Sequence, residues 1–335
     1  MSGQHASDTT GRSIRWGILS TGGIARKFAD VLNSMPDAQL VAVGSRSQAT
    51  ADEFGEKYGV RHRHASYAAL ANDPKVEVVY IATPHPLHVD NMRLCLQAGK
   101  AVLCEKPFTI NAGEAQAALA LARERRLFLM EAMWPRFLPL MIRLREMLAG
   151  GVIGDLQMLV ANAGFRARFD PAHRLFAPEL GGGALLDVGV YPISFASMVL
   201  GTPSRVLAMA QLGKTGVDEQ AGSVLGYDHG QLALIFATFR SSVPPEWTVM
   251  GSLGQIKIHN PSNGTRLTLQ IIGKAAEVID VPFEGIDFRY QAMEAQNCLR
   301  AGKLESSVMP LDETAAIMAT MDQMRAQWGL RYPTE

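Results

Sequence analysis

Residues 14–25, Ile14-Arg15-Trp16-Gly17-Ile18-Leu19-Ser20-Thr21-Gly22-Gly23-Ile24-Ala25, decide the fold. The first six are short and apolar and read as a buried strand. Serine, threonine and two glycines then make a turn, and a helical pattern runs from Gly22 to about Ser34. The alternation repeats. Gln39–Ser45 is a second buried-type strand, and Gln48–Tyr58 is a polar, amphipathic helix. Ser66 is placed to cap a short helix over Tyr67–Ala71. Val76–Ala82 is a strand, and Leu87–Ala98 is a helix that Gly99 stops. Ala101–Cys104 is a strand, Glu114–Arg125 a helix and Leu127–Met130 a strand. Short apolar strands alternating with helices predict a doubly wound α/β parallel sheet covered on both faces. In such sheets ligands bind beyond the carboxyl ends of the strands. Five loops should therefore face one crevice: Ser20–Gly23, Ser45–Ser47, Thr83–His88, Glu105–Pro107 and Glu131–Arg136.

After Gly150-Gly151 the pattern changes. One helical region, Ala184–Leu200, precedes strands at Ser204–Leu212, Ser223–Tyr227, Gln231–Arg240, Glu246–Met250, Gln255–His259, Arg266–Ile272 and Ala276–Val281. Turn signals such as Asp228-His229-Gly230 and Asn263-Gly264 separate them. Helices over Phe288–Ala301 and Glu313–Trp328 follow. The reading is a disordered tail at 1–13, a nucleotide domain at 14–135, and an α+β domain at 136–335 with an open, mainly antiparallel sheet. The last helix is expected to pack back on the first domain.

Composition limits the partners. Lys+Arg and Asp+Glu both number 32, so the chain lacks the basic excess of a nucleic-acid or anionic-membrane binder. At 47% hydrophobic residues it is too apolar for disorder. Cys95, Cys104 and Cys298 include no CxxC and make neither a disulfide framework nor a zinc site. The N-terminus lacks an apolar core of the signal-peptide kind, and no run reaches ~18 uninterrupted apolar residues. A cytoplasmic location away from membranes is expected.

Aligned to GxGxxG/A, the first turn reads Ser20-x-Gly22-x-x-Ala25. Gly22 lets backbone approach a pyrophosphate, and Ala25 allows close helix–strand packing, as in a Rossmann-type site. Thr21, Gly23 and Ile24 complete the helix N-terminus, whose N–H groups and dipole favour an anion. A plain strand–turn–helix glycine explains the loop equally well, although its place after the first strand favours the phosphate. The second strand ends in Ser45-Arg46-Ser47, with no acid to hold ribose hydroxyls. Arginine presents a planar fork suited to phosphate. Arg46, helped by Ser45 and Ser47, is therefore assigned to the 2′-phosphate of NADP(H), with NAD a secondary possibility. A solvated surface arginine is the competing reading.

Lys106, in Glu105-Lys106-Pro107, sits at a strand terminus in the expected crevice, where its ammonium can hold an oxygen or stabilise an anion. The glycine run Gly181-Gly182-Gly183 precedes Ala184-Leu185-Leu186-Asp187-Val188-Gly189-Val190-Tyr191-Pro192. Asp187 and Tyr191, four apart, share a helix face, although Pro192 biases Tyr191 away from ideal helix. A free phenol titrates near ~10, and an adjacent Lys⁺ lowers that value. Tyr191 beside Lys106 is thus a proton-transfer pair for alcohol oxidation. From spacing alone a core tyrosine with a satisfied hydroxyl fits at least as well.

These stretches resemble the glucose–fructose oxidoreductase / inositol dehydrogenase / MocA (Gfo/Idh/MocA) family over residues 14–332. The matching pieces are WGILSTGGIA, VAVGSRS, IATPHPLHVDNMRLCLQAGKAVLCEKPFTIN, MEAMWPRF, HRLFAPELGGGALLDVGVYPI and MPLDETAAIM. The chain is most similar to the branch of dimeric trans-dihydrodiol dehydrogenases and NADP-dependent D-xylose 1-dehydrogenases, which carries tyrosine where many inositol dehydrogenases carry histidine. Ser20 replaces the family's common glycine, and His85 stands where asparagine is frequent.

The resemblance implies an NAD(P)-dependent oxidoreductase acting on a sugar, polyol or cyclic diol. Lys106 and Tyr191 would be catalytic, Asp187 supporting, and the protein a homodimer through the second sheet. Thr83, His85, His88 and Glu105 are expected at the cofactor, with Trp134 and Arg136 walling its nicotinamide side. Phe165, Arg166, Arg174 and Phe176 are expected on a substrate loop, though packing explains these four equally well. The alternatives are a keto- or anhydro-sugar reductase using the same site in reverse, and a non-catalytic NADP(H)-binding sensor or scaffold. His62, His64, His85 and His88 raise a metal site, but no Cys or carboxylate completes a ligand set nearby in sequence, so none is expected.

Overall fold

The structure, a computed structural model, describes residues 11–262, 264–285 and 287–335. Residues 1–10 of the expected tail, and Asn263 of the expected Asn-Gly turn, lie outside the described residues. Gly11–Ser13 have no regular structure, but Arg12 is held by an ion pair with Glu77.

The first half alternates strand and helix throughout. Its elements are β1 (Ile14–Leu19), α1 (Gly23–Ser34), β2 (Ala38–Gly44), α2 (Gln48–Tyr58), β3 (His62–His64), α3 (Tyr67–Ala71), β4 (Val78–Ile81), α4 (His88–Gln97), β5 (Ala101–Cys104), α5 (Ala112–Arg125) and β6 (Leu129–Glu131). The sheet order is β3-β2-β1-β4-β5-β6, and every pairing is parallel. Every residue of β4 and β5 is buried, as sheet strands covered on both faces require. α1 buries Ala25, Phe28 and Leu32, and Phe28 stacks on Tyr80 of β4 at 3.8 Å. From β1 the chain winds outward to β3, then returns to β4 on the other side. The switch point, where ligands bind in such sheets, therefore lies beyond the ends of β1 and β4.

The second half contains α6 (Pro139–Ala149), β7 (Leu156–Gly164), α7 (Val190–Leu200), β8 (Arg205–Leu212), β9 (Asp218–Gly226), β10 (Leu232–Thr238), β11 (Glu246–Gly251), β12 (Gly254–His259), β13 (Arg266–Ile271), β14 (Glu277–Asp280), α8 (Arg289–Arg300) and α9 (Leu311–Trp328). The sheet order is β14-β13-β12-β11-β7-β10-β9-β8, antiparallel except between β7 and β10. The sequence pattern passes over β3, α6 and β7. β3 is three polar residues, and β7 spends Asn162, Gly164 and two alanines in a central strand, a weak β signal. One sheet face carries Leu225, Ala233 and Ile235 into the core. On the other face Leu207 is 70% and Met209 82% exposed, beside the part-exposed Val224, Leu234 and Phe236.

Residues 178–200 are long and apolar enough to cross a membrane, but they are packed mostly inside the fold. They are not one helix. Leu185–Gly189 forms a π-helical turn, and α7 starts at Val190. Pro192 lies in the helical run that continues from this turn; without an N–H it cannot donate to a carbonyl of the turn behind it. α9 lies against α5 and β6 of the first sheet as well as β8 of the second.

Candidate active site

Lys106 follows β5, in a turn anchored where Glu105 N donates to Ile81 O at 3.0 Å. Its Nζ donates to Asp187 O at 2.6 Å, lies 3.4 Å from Asp187 Oδ1, and sits 4.7 Å from the Tyr191 ring centroid. Arg174 Nη1 donates to the same Oδ1 at 2.8 Å. Trp134 Nε1 donates to Tyr191 Oη at 3.4 Å, and the Trp134 indole stacks on Phe288 at 5.1 Å. Residues far apart in the chain thus meet in one cluster. Phe288, in the loop before α8, carries no motif that marks it in the sequence.

Burial is the largest single influence on each group of the cluster, although it does not always decide the direction. It pushes the Asp187 carboxyl up, but Lys106 and Arg174 outweigh it and hold the group well below the usual carboxylate range. Burial pushes Lys106 down, yet the facing Tyr191, Asp187 and Glu105 more than compensate and raise it. For Tyr191 the balance goes the other way. Burial raises the phenol by more than Lys106 lowers it. The expectation of a phenol brought toward neutrality is therefore corrected: Lys106 acts in the expected direction, but desolvation wins. His85, whose Nδ1 lies 3.1 Å from Gly181 O, is pushed down by burial to about 3 and is neutral.

The glycine run allows backbone to pack where side chains do not fit. Gly183 has φ 119°, and a Cβ there would lie 2.3 Å from Asp218 Oδ1. Asp218 Oδ2 accepts from Leu185 N at 2.7 Å, and Tyr332 Oη donates to Gly182 O at 2.6 Å. Asp218 and Tyr332 therefore fix the start of the π-helical turn that bears Asp187. Sequence reading missed both, because their partners lie 33 and 150 residues away.

The turn after β1 has a different character. Ser20 sits at φ 104°, a conformation that favours glycine, at the position where the common pattern has glycine. A Cβ on Gly23 would meet nothing within 4 Å, and one on Gly22 only Ser20 Oγ at 3.8 Å. Neither of these two glycines is required by protein packing, so the open space before them fits a pyrophosphate at the α1 N-terminus. Thr21 and Ile24 flank it half-buried. Beyond β2, Ser45 Oγ pairs with Thr50 Oγ1 at 2.5 Å, and Ser47 caps α2 by accepting from Thr50 N at 3.4 Å. Arg46 is exposed beside them and has no ion-pair partner among the described residues.

Residues 14–133 match the model of an oxidoreductase family with an NAD-binding Rossmann fold, and residues 141–257 match the GFO/IDH/MocA C-terminal domain. The chain belongs to the Gfo/Idh/MocA oxidoreductase family. It is 38% identical to trans-1,2-dihydrobenzene-1,2-diol dehydrogenase of Mus musculus over 335 residues, covering 96% of this chain and 99% of the relative. The Homo sapiens enzyme of that name is also 38% identical, with the same coverage. A 3-ketoreductase from Actinomadura kijaniata, solved with TDP-benzene and NADP, superposes with a TM-score of 0.82 at 25% identity over 94% of this chain and 97% of that one. This Gfo/Idh/MocA protein is an NAD(P)-dependent oxidoreductase acting on CH–OH groups, which sets aside the non-catalytic sensor or scaffold.

Several residues expected at ligands in this Gfo/Idh/MocA enzyme also make structural hydrogen bonds. His88 is fully buried, with Nδ1 2.9 Å from Pro107 O and Nε2 2.9 Å from Thr83 O. It ties the loop after β4 to the Lys106 turn. Thr83 is buried and accepts from Asn91 at 3.1 Å. Glu105 is buried, bonded by Tyr80 Oη and by Lys106 N. Arg136, expected beside the nicotinamide, is 3% exposed. It donates to Ser194 Oγ at 2.8 Å and pairs with Glu313 at 2.7 Å, locking α7 to α9. Phe176 is a core residue at 2% exposure, packed edge-on to Phe169 and Phe239. Phe165 and Arg166 are exposed on the strand-end loop, Phe165 leaning on Phe239, and among the described residues no hydrogen bond or ion pair joins them to Lys106. The shared reason is local: polar residues near strand ends serve equally to satisfy buried backbone.

Proposed function

We propose that the protein transfers a hydride between NADP(H) and a vicinal diol, polyol or sugar, with Tyr191 and Lys106 handling the proton. The Lys106–Asp187–Tyr191 cluster beyond the strand ends carries this reading. Gly22, Gly23 and the α1 N-terminus would hold the pyrophosphate, and Arg46 the 2′-phosphate. NADP, when bound, supplies the nicotinamide carbon that accepts or returns the hydride. Tyr191 Oη takes the substrate's hydroxyl proton in oxidation. Lys106 stabilises the phenolate that Tyr191 must pass through, and Asp187 holds Lys106 in place from both its carbonyl and its carboxylate. Trp134 and Phe288 offer a flat apolar wall beside the hydroxyl, suited to a ring face.

The raised phenol of Tyr191 favours a second direction on the same atoms. A tyrosine protonated at neutral pH is ready to donate, so reduction of a keto-sugar or related ketone is the reverse reading. Apolar side chains on the outer face of the second sheet support a homodimer there, and three buried free thiols support a reducing compartment such as the cytoplasm.

Tyr191→Phe tests the assignment. NADPH binding, followed by fluorescence, should persist while turnover of a trans-dihydrodiol, D-xylose, D-glucose, myo-inositol and 1,5-anhydrofructose panel drops by about 10² or more. Unchanged turnover would remove Tyr191 from the chemistry.

A further inference from the structure

At the open edge of the first sheet, on the far side from the Lys106 turn, two imidazoles converge on one carboxylate. β3 is His62-Arg63-His64, and strand alternation puts its two histidines on one face. His62 Nδ1 is 2.6 Å and His64 Nε2 is 2.9 Å from the same oxygen, Asp73 Oδ2. The three candidate ligand atoms all lie within 4.8 Å of one another. The carboxylate missing from the sequence pattern is thus Asp73, carried back under β3 by α3.

The site is built as a ligand set is built. The Asp73 side chain is 2% exposed and is oriented from behind, where Lys75 N donates to its Oδ1 at 2.8 Å. Lys100 Nζ donates to the Asp73 carbonyl at 2.7 Å and fixes the backbone there. The imidazoles stay reachable, with side chains 39% and 23% exposed, so an ion can enter from solvent and keep water on its open positions.

We propose that His62, His64 and Asp73 bind one divalent transition-metal ion of the zinc class. Two imidazoles and one carboxylate suit Zn²⁺, Co²⁺, Ni²⁺ or Cu²⁺, whereas Mg²⁺ and Ca²⁺ prefer all-oxygen sets. Tetrahedral arms of about 2.1 Å put ligand atoms roughly 3.4 Å apart. The His62 ring would back off by roughly 0.8 Å and the His64 ring by roughly 0.5 Å from Asp73 Oδ2 to reach that spacing, which their exposure permits. The ion would staple β3, an edge strand paired over only three residues, to the segment after α3. Because His64 O accepts from Ser45 N at 3.0 Å, the staple adjoins the loop that carries Arg46.

The experiment is a titration of the chelator-stripped full-length protein with Zn²⁺ against a chromophoric competitor, repeated with Co²⁺ in the visible range. The wild type should bind one equivalent tightly, show a Co²⁺ band, and unfold at a higher temperature with Zn²⁺. Asp73→Asn and the pair His62→Ala/His64→Ala should weaken that equivalent at least tenfold and abolish the thermal shift. His64→Gln keeps a hydrogen-bond donor for Asp73 but not the imidazole ligand, and it carries the test should the other variants fail to fold. Equal zinc affinity in wild type and His64→Gln would overturn the site and leave a hydrogen-bonded network that satisfies Asp73.

Discussion

Replacing Lys106 by methionine removes the positive charge facing Tyr191 while keeping most of the side chain's volume. Nζ lies 4.7 Å from the phenol ring centroid. At an effective dielectric constant of ~20, that separation corresponds to roughly 3.5 kcal/mol of attraction to a phenolate. At 1.36 kcal/mol per unit this is about two and a half pKa units, or a few hundredfold in the phenolate fraction at fixed pH. Tyr191 already titrates above the ordinary phenol because of burial, so losing Lys106 moves it further up. The sign for each direction follows. Oxidation needs the phenolate, so its rate should climb with pH through the alkaline range, and Lys106→Met should displace that climb to higher pH. Reduction needs the phenol and should stay level around neutrality. Asp187 keeps Arg174 at 2.8 Å and stays charged, which limits collapse of the site. The assay is kcat for NADP⁺-linked oxidation from pH 6 to 10, with NADPH fluorescence confirming cofactor binding. An oxidation rate within a few-fold of wild type, on a superimposable pH profile, would refute the coupling of Lys106 to Tyr191.

Three further outcomes follow from the same structure. Arg46→Ala should weaken NADPH binding tenfold or more and leave NADH nearly unchanged in a fluorescence titration; equal losses for both would show that Arg46 does not read the 2′-phosphate. Burial lifts the carboxyls of Glu131 and Asp218 to about 7. Unfolded, both titrate near ~4, so the native state binds more protons between the two values and its stability falls as pH rises from ~4 through 7, by up to ~1.4 kcal/mol per unit for each group. Glu131→Gln should flatten that decline in urea unfolding curves, and an unaltered slope would mean that Glu131 is ionised in the native protein. On the exposed sheet face, Met209→Lys should convert a dimer to monomer by light scattering, because a charge at a side chain 82% exposed in the monomer would be buried in the partner's face. A dimer that tolerates the change forms elsewhere.

The cofactor half was legible from the start, since parallel strands buried on both faces leave a direct imprint of apolar runs between helices. α2, α3 and β5 fall on the residues that pattern marks. β7 left no such imprint. It is a central strand because β11 and β10 align on either side of it, and its alanines and asparagine do not announce that role. The split of 184–200 into a π-helical turn and α7 likewise depends on Asp218 and Tyr332 reaching in from later in the chain.

At the site the division runs along residue types. The unusual stretches, Glu105-Lys106-Pro107 and Gly181 to Tyr191, were visible because glycine runs and a lysine at a strand end have few other uses. Whether a polar residue faces a ligand or braces the fold was not. His88, Glu105 and Arg136 have the same chemistry as ligand-binding groups, and the position of a carbonyl or hydroxyl across the fold turned them inward. The direction of the Tyr191 shift belongs to the same class. Sequence supplies the neighbouring charge, but the desolvation that outweighs it is a property of everything packed around the ring. Local pattern fixes elements and nominates reactive groups; burial and orientation, which sum over contacts distant in the chain, decide what those groups do.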